Sequence, residues 1–181
     1  MSYVVAALAV LATFSVFQVV LVAGLLRRVN ELSGRLTQLS QDGPVSLDRM
    51  VPAGSAPAQF TTSTVDQELV TSQTLTVPTL LGFFTPGCKP CTAQLPHFVE
   101  RAGATPGGRA HVLAVITDAP GTREYVARLS PVAQVVIEEP NGPVATAFGL
   151  KGTPAFALLG ERSTVTASAI TVAGLPSAVP A

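Results

Sequence analysis

Charge is scarce in this sequence: 11 Lys and Arg and 11 Asp and Glu make up only 12% of 181 residues, and they cancel. That is about half the usual charged share of a soluble protein and points to an apolar segment. Zero net charge argues against a nucleic-acid binder, which needs a basic face. There is no Trp, and there are only two Cys, too few for a disulfide-stapled mini-protein but enough for one redox pair. Fifteen Gly and fifteen Pro, irregularly spaced, exclude a collagen-like or wholly disordered chain.

Much of the apolarity lies at the front. Tyr3 to Leu26 is a run of 24 residues without a charge. As a helix it would span roughly 36 Å, enough to cross a bilayer core of about 30 Å. No Lys or Arg precedes the run and Arg27-Arg28 follows it, which fits an uncleaved anchor better than a signal peptide. Val29, Leu32, Leu36 and Leu39 continue as a helical stripe, and Asp42-Gly43-Pro44 ends it. The expected organisation is an anchor over 1–27, a helical stalk over 28–41, a linker over 42–58 rich in Pro, Gly and Ser, and one domain over 59–181.

In that domain short apolar runs alternate with helical patterns. Strands are expected at Pro78–Thr85, Ala110–Thr117, Val132–Glu138 and Pro154–Leu159, the last with a hairpin partner at Ser163–Ile170. Helices are expected at Pro90–Gly103, Thr122–Ser130 and Pro143–Leu150. The fold class is α/β with a mixed central sheet.

Both cysteines fall in Cys88-Lys89-Pro90-Cys91, where the first strong strand meets its helix. Two intervening residues let both sulfurs meet on a first helical turn. Cys88 would sit among unpaired N–H groups that favour a thiolate, with Lys89 adding a charge of the same sense. Pro90 suits the first turn, where its missing N–H costs little. Cys91 would be the buried, resolving sulfur. Zinc binding would need His97 and His111, whose intervals match no familiar zinc spacing, and no metal is expected. Thr85-Pro86-Gly87-Cys88 fits the Thr-x-x-Cys part of a peroxiredoxin site, but Leu81 stands where that pattern has Pro.

With Pro96 five residues after Cys91 and Gly149-Leu150-Lys151-Gly152-Thr153-Pro154 just before a strand, the sequence resembles the thioredoxin family. Together with the anchor and Ala53–Phe60, it looks like the membrane-anchored TlpA/ResA/MauD-type branch, from about Ala53 to Ile170. The resemblance implies a thioredoxin-like fold and a Cys88–Cys91 redox disulfide. It also implies a cis Thr153–Pro154 bond beside the cysteines, against which a client backbone pairs. It implies an enzyme without a cofactor that reduces disulfides of client proteins, fed by an upstream thiol donor that could itself be membrane-bound. The alternatives are a membrane-tethered metal- or partner-binding module and a peroxiredoxin-like peroxidase. Arg27, Arg28 and Arg35 after the span favour a cytoplasmic domain, whereas the resemblance favours an extracytoplasmic one, which is the side expected here.

Two departures stand out. Thioredoxin has Trp just before the first cysteine and a buried Asp six residues before it, where this chain has Gly87 and Gly82. The proton acceptor for Cys91 is therefore unassigned, with Glu68 or water as candidates. The usual C-terminal helix is missing or stunted: Thr171–Ala181 holds two prolines and no charge, so it either packs irregularly or leaves an apolar sheet face for a partner.

Overall fold

The computed structural model describes residues 49–75 and 78–177. The expected anchor, the stalk and residues 42–48 of the expected linker lie outside the described residues. Among those described, no helix is long and apolar enough to cross a membrane.

The chain forms β1 (Thr61–Ser63), β2 (Leu69–Thr71), β3 (Thr79–Phe84), α1 (Lys89–Gly103), β4 (Val112–Thr117), α2 (Thr122–Leu129), β5 (Gln134–Glu138), α3 (Pro143–Ala147), β6 (Ala155–Leu159) and β7 (Val165–Ala169). β1 and β2 pair as a small antiparallel hairpin, and the other five strands form one sheet in the order β5-β4-β3-β6-β7. β3, β4 and β5 run parallel, while β6 and β7 run antiparallel to their neighbours. This is a thioredoxin-like α/β fold with a mixed sheet.

The central strands are continuous apolar runs because both faces are covered. On β3, Leu81 and Phe83 face one core with Val115, Val136, Phe148 and Phe60. Leu80 and Phe84 face the other, with Leu95 and Phe98 of α1 and Leu129 of α2. Phe84 meets Phe98 edge-on at 5.2 Å and Phe156 at 5.6 Å, so phenylalanines supply the aromatic packing in a chain without Trp.

The stretch expected as linker is part of the domain from residue 49 onward, which corrects that boundary. Met50 is only 3% exposed. Val51 N donates to Phe148 O at 2.8 Å, Ala58 N to Ala147 O at 3.0 Å, and Gly54 N to Val165 O at 2.8 Å. Its Pro and Gly residues exclude helix and strand, but an extended segment can still satisfy its backbone across α3 and β7.

As far as it is described, to Ser177, the C-terminal segment takes the first of its two expected courses and packs irregularly. No α-helix follows β7 among the described residues; a single 3₁₀ turn, Val172–Gly174, does. Val172 and Leu175 are buried in the α1 core. Gln94 of α1 accepts from Val172 N at 2.9 Å, and the Arg101 guanidinium donates to the carbonyls of Val172, Leu175 and Pro176.

Candidate functional site

β3 delivers the cysteines and β6 delivers the proline. Because β6 runs antiparallel to β3, with Phe83 opposite Ala155, the start of β6 lies at the end of β3. Cys88 and Pro154, 66 positions apart in sequence, therefore meet at one edge of the sheet. The Thr153–Pro154 peptide bond is cis, as the family resemblance implies.

Cys88 caps the N-terminus of α1, with Pro90 in the first turn and Pro96 carried inside the helix. Gly87, at φ +79°, makes the turn into it, a conformation that L side chains rarely adopt. Thr92 N and Thr92 Oγ1 both bond Cys88 O, at 3.1 and 3.3 Å, closing the first turn around the motif. Lys89 is exposed. Both cysteines are free thiols; Cys88 is half-buried and Cys91 fully buried.

The Cys88 sulfur lies 3.9 Å from Thr153 O. That same carbonyl accepts from Arg49 Nη1 at 2.8 Å. The Thr153 hydroxyl donates to Thr85 Oγ1 at 2.9 Å, and Thr85 donates in turn to Thr117 Oγ1 at 3.2 Å. Three threonines from the ends of β3, β4 and β6 thus lock the cis-proline loop against the cysteine turn. Burial, reinforced by a hydrogen bond with Cys88, pushes the Cys91 thiol up to about 11. Cys91 therefore holds its proton at neutral pH.

The missing acid has a structural reason. A Cβ at Gly82 would lie 2.5 Å from Cε2 of Phe98. The ring of Phe98 fills the space that a carboxylate at that position would need. Glu68 is no substitute: it bonds Gln134, at the start of β5, on the opposite edge of the sheet from Cys88. The buried carboxylate among the described residues, Glu138, accepts from Val144 N at 3.0 Å and Ala145 N at 2.8 Å, capping α3. Water remains the candidate proton acceptor.

Of the zinc candidates, His111 bonds Pro78 O at 2.8 Å where β4 begins, and His97 is exposed on α1. Among the described residues no three His, Cys, Asp or Glu side chains come together. Sequence reasoning missed Arg49 and Thr117 as parts of this site and marked Thr85 only through the peroxiredoxin pattern, not as a partner of Thr153. Arg49 carried no signal, since it lies in a Pro-rich stretch 104 positions from its partner.

No match was found among curated proteins. Among solved structures, the thio-disulfide isomerase from Thermus thermophilus is 22% identical, with a TM-score of 0.54 over 67% of this chain and 87% of that one. StoA from Bacillus subtilis is 21% identical, with a TM-score of 0.51 over 66% of this chain and 90% of that one. A secreted Mycobacterium tuberculosis disulfide oxidoreductase, described as homologous to Escherichia coli DsbE, is 21% identical, with a TM-score of 0.51 over 68% and 88%. These likenesses place the fold, and the expected enzyme class, an oxidoreductase of thiols and disulfides, is the class of the solved proteins. The sequence itself matches a family over residues 53–169, which spans the cysteine turn, the cis-proline loop and the whole mixed sheet: the chain belongs to the AhpC/TSA family.

Proposed function

We propose that this chain is a membrane-anchored thiol–disulfide oxidoreductase that reduces disulfides of client proteins on the extracytoplasmic side. The carrying observation is the half-buried Cys88 thiol at a helix N-terminus, 3.9 Å from the carbonyl of the residue before a cis-proline, with Cys91 buried one turn behind.

The Cys88 thiolate attacks one sulfur of the client disulfide, forming a mixed disulfide and releasing a client thiolate that takes up a proton. Cys91 then loses its proton, attacks the Cys88 sulfur and expels the second client thiol. The client gains two electrons and two protons, and Cys88 and Cys91 end as a disulfide. Thr153 and Pro154 hold the client backbone beside the sulfur, and Lys89 and Pro90 shape the turn. An upstream thiol donor restores the dithiol, and the apolar run Tyr3–Leu26 provides the anchor.

Peroxide reduction is the competing reading, supported by the family and by Thr85 three residues before Cys88. It requires a threonine hydroxyl free to meet peroxide. The Thr85 hydroxyl is instead committed to Thr117 and Thr153.

Trapping tests the proposal. A Cys91→Ser chain, lysed under oxidising conditions with thiols blocked, should accumulate mixed disulfides through Cys88. Absence of any trapped client would count against client reduction. Stoichiometric metal after reducing purification would favour the binding-module alternative. A membrane-impermeant maleimide should label Cys88 on intact cells; labelling only after lysis would sink the outside placement.

A further inference from the structure

The strongest unassigned feature is Arg49. Its guanidinium is bound to Thr153 O, the same oxygen that the Cys88 sulfur faces, so it is fixed one carbonyl away from the reacting sulfur. It is held from both ends. Arg49 O accepts from Lys151 N at 2.7 Å, and the next residue but one, Val51, pairs with Phe148. Nη1 donates to Thr153 O, and a guanidinium carries five N–H donors in a planar fork, a geometry that matches a carboxylate.

On the cis-proline side of Cys88 the charges are of one sign among the described residues: Arg49 bonds Thr153 O, and Lys151 N bonds Arg49 O, with Lys89 in the cysteine turn itself. The other side of the turn meets 117–125 through Thr117 and Tyr125, and that segment carries Asp118, Arg123 and Glu124. Both lysines are exposed. The acids at this edge belong to other strands: Asp118 follows β4 and Glu139 follows β5, on the side of β3 away from β6. Glu138 has both oxygens committed to α3. A chain of zero net charge thus places three of its eleven cations around the nucleophile.

We propose that Arg49, flanked by Lys151 and Lys89, is a specificity-determining residue that selects disulfides flanked by carboxylates. The inference rests on the oxidoreductase reading and names the substrate class of that site. A fixed guanidinium can pair bidentately with a client carboxylate while the client cystine meets Cys88, and the lysines raise the local concentration of anionic segments.

The test uses the full-length, pre-reduced chain in detergent, in single turnover, with anionic oxidised glutathione, cationic cystamine and neutral hydroxyethyl disulfide. Each rate is divided by that of uncharged dithiothreitol, which removes intrinsic reactivity. The anionic-to-cationic ratio should be about tenfold or more at low salt and should collapse towards one at high salt. Arg49→Gln should lower the ratio several-fold, Arg49→Lys should restore part of it, and Lys151→Glu should lower it. A purely structural defect slows all three disulfides alike and leaves the ratio unchanged, and that result for Arg49→Gln would overturn the proposal. A ratio near one at low salt in the unaltered chain would do the same. If none of the three disulfides oxidises the cysteine pair, the oxidoreductase reading falls as well.

Discussion

The ring of Phe98 lies where a side chain at position 82 would begin: a Cβ on Gly82 would meet Phe98 Cε2 at 2.5 Å and Cζ at 2.8 Å. Phe98 also stacks on Phe156 at 5.7 Å and meets Phe84 edge-on, so it has little room to yield. The aromatic cluster that closes the core beneath Cys91 and the absence of an acid there are one fact of packing. Gly82→Ala and Gly82→Asp should each destabilise the fold, by about 1–3 kcal/mol for the overpacked methyl alone. Denaturant unfolding checks this. Phe98→Ala in the same chain should relieve part of the penalty, giving a clear coupling in the double-mutant cycle.

The pH dependence of the second exchange step follows from the buried thiol. Burial is the larger cause of the rise to about 11 and persists when Cys88 is tied up in a mixed disulfide. Only the thiolate attacks, so release of the client should accelerate close to tenfold per pH unit from neutrality towards that value. Stopped-flow of a preformed Cys88 mixed disulfide measures it, and a rate flat between pH 7 and 9 would show that another group takes the proton. Stability has the opposite sign. The folded value exceeds the ordinary 9.0, so the contribution is full below about 9 and is lost as pH rises through about 11. The oxidised protein should lack this alkaline decline.

Most of the central sheet was legible in the sequence because buried parallel strands are short, uninterrupted apolar runs. The run predicted at Pro78–Thr85 is β3 less its end residues, and Ala110–Thr117 is β4 after a 3₁₀ turn at Gly108–His111. The helix predicted over Pro143–Leu150 stops at Ala147, because Phe148 turns inward to pack on Phe60 and Phe83. The hairpin of β1 and β2 gave no signal, since Thr61–Thr71 is mostly polar and its strands are three residues each. At the site, Cys88, Cys91, Thr153 and Pro154 were legible because a motif spacing and a proline mark them. Arg49 and the threonine lock were not, since they depend on which strand ends become neighbours.

Glu138 anchors the approach to the cis-proline loop. Its carboxylate accepts two backbone N–H groups of α3, and burial still holds its pKa above the ordinary 4.5. Glu138→Ala should leave those donors bare and cost about 1–3 kcal/mol, with faster amide exchange over residues 143–150. A raised folded value means that this residue's contribution is full below the ordinary carboxylate range and is lost as pH rises through the raised value. Urea unfolding from pH 4 to 8 should therefore show a flatter profile for Glu138→Gln than for the unaltered chain.

The C-terminal turn stands in for a covering helix, and Arg101 fastens it. Three backbone carbonyls, of Val172, Leu175 and Pro176, face this one guanidinium. Arg101→Ala should release the segment and uncover Val172 and Leu175, which are 5% and 4% exposed. The expected signs are increased binding of a hydrophobic dye and a loss of stability of about 1–3 kcal/mol. Unchanged dye binding would mean that apolar packing alone holds the turn.

The central claim is a division of labour between two sulfurs, with Cys88 attacking and Cys91 resolving. Intact mass of the pre-reduced chain after brief exposure to a cystine peptide tests it most directly. The Cys91→Ser chain should carry one peptide adduct, removed by reductant and mapped to Cys88, while the unaltered chain should carry none and be lighter by two hydrogens. An adduct on Cys91 in a Cys88→Ser chain, formed at a comparable rate, would contradict the account.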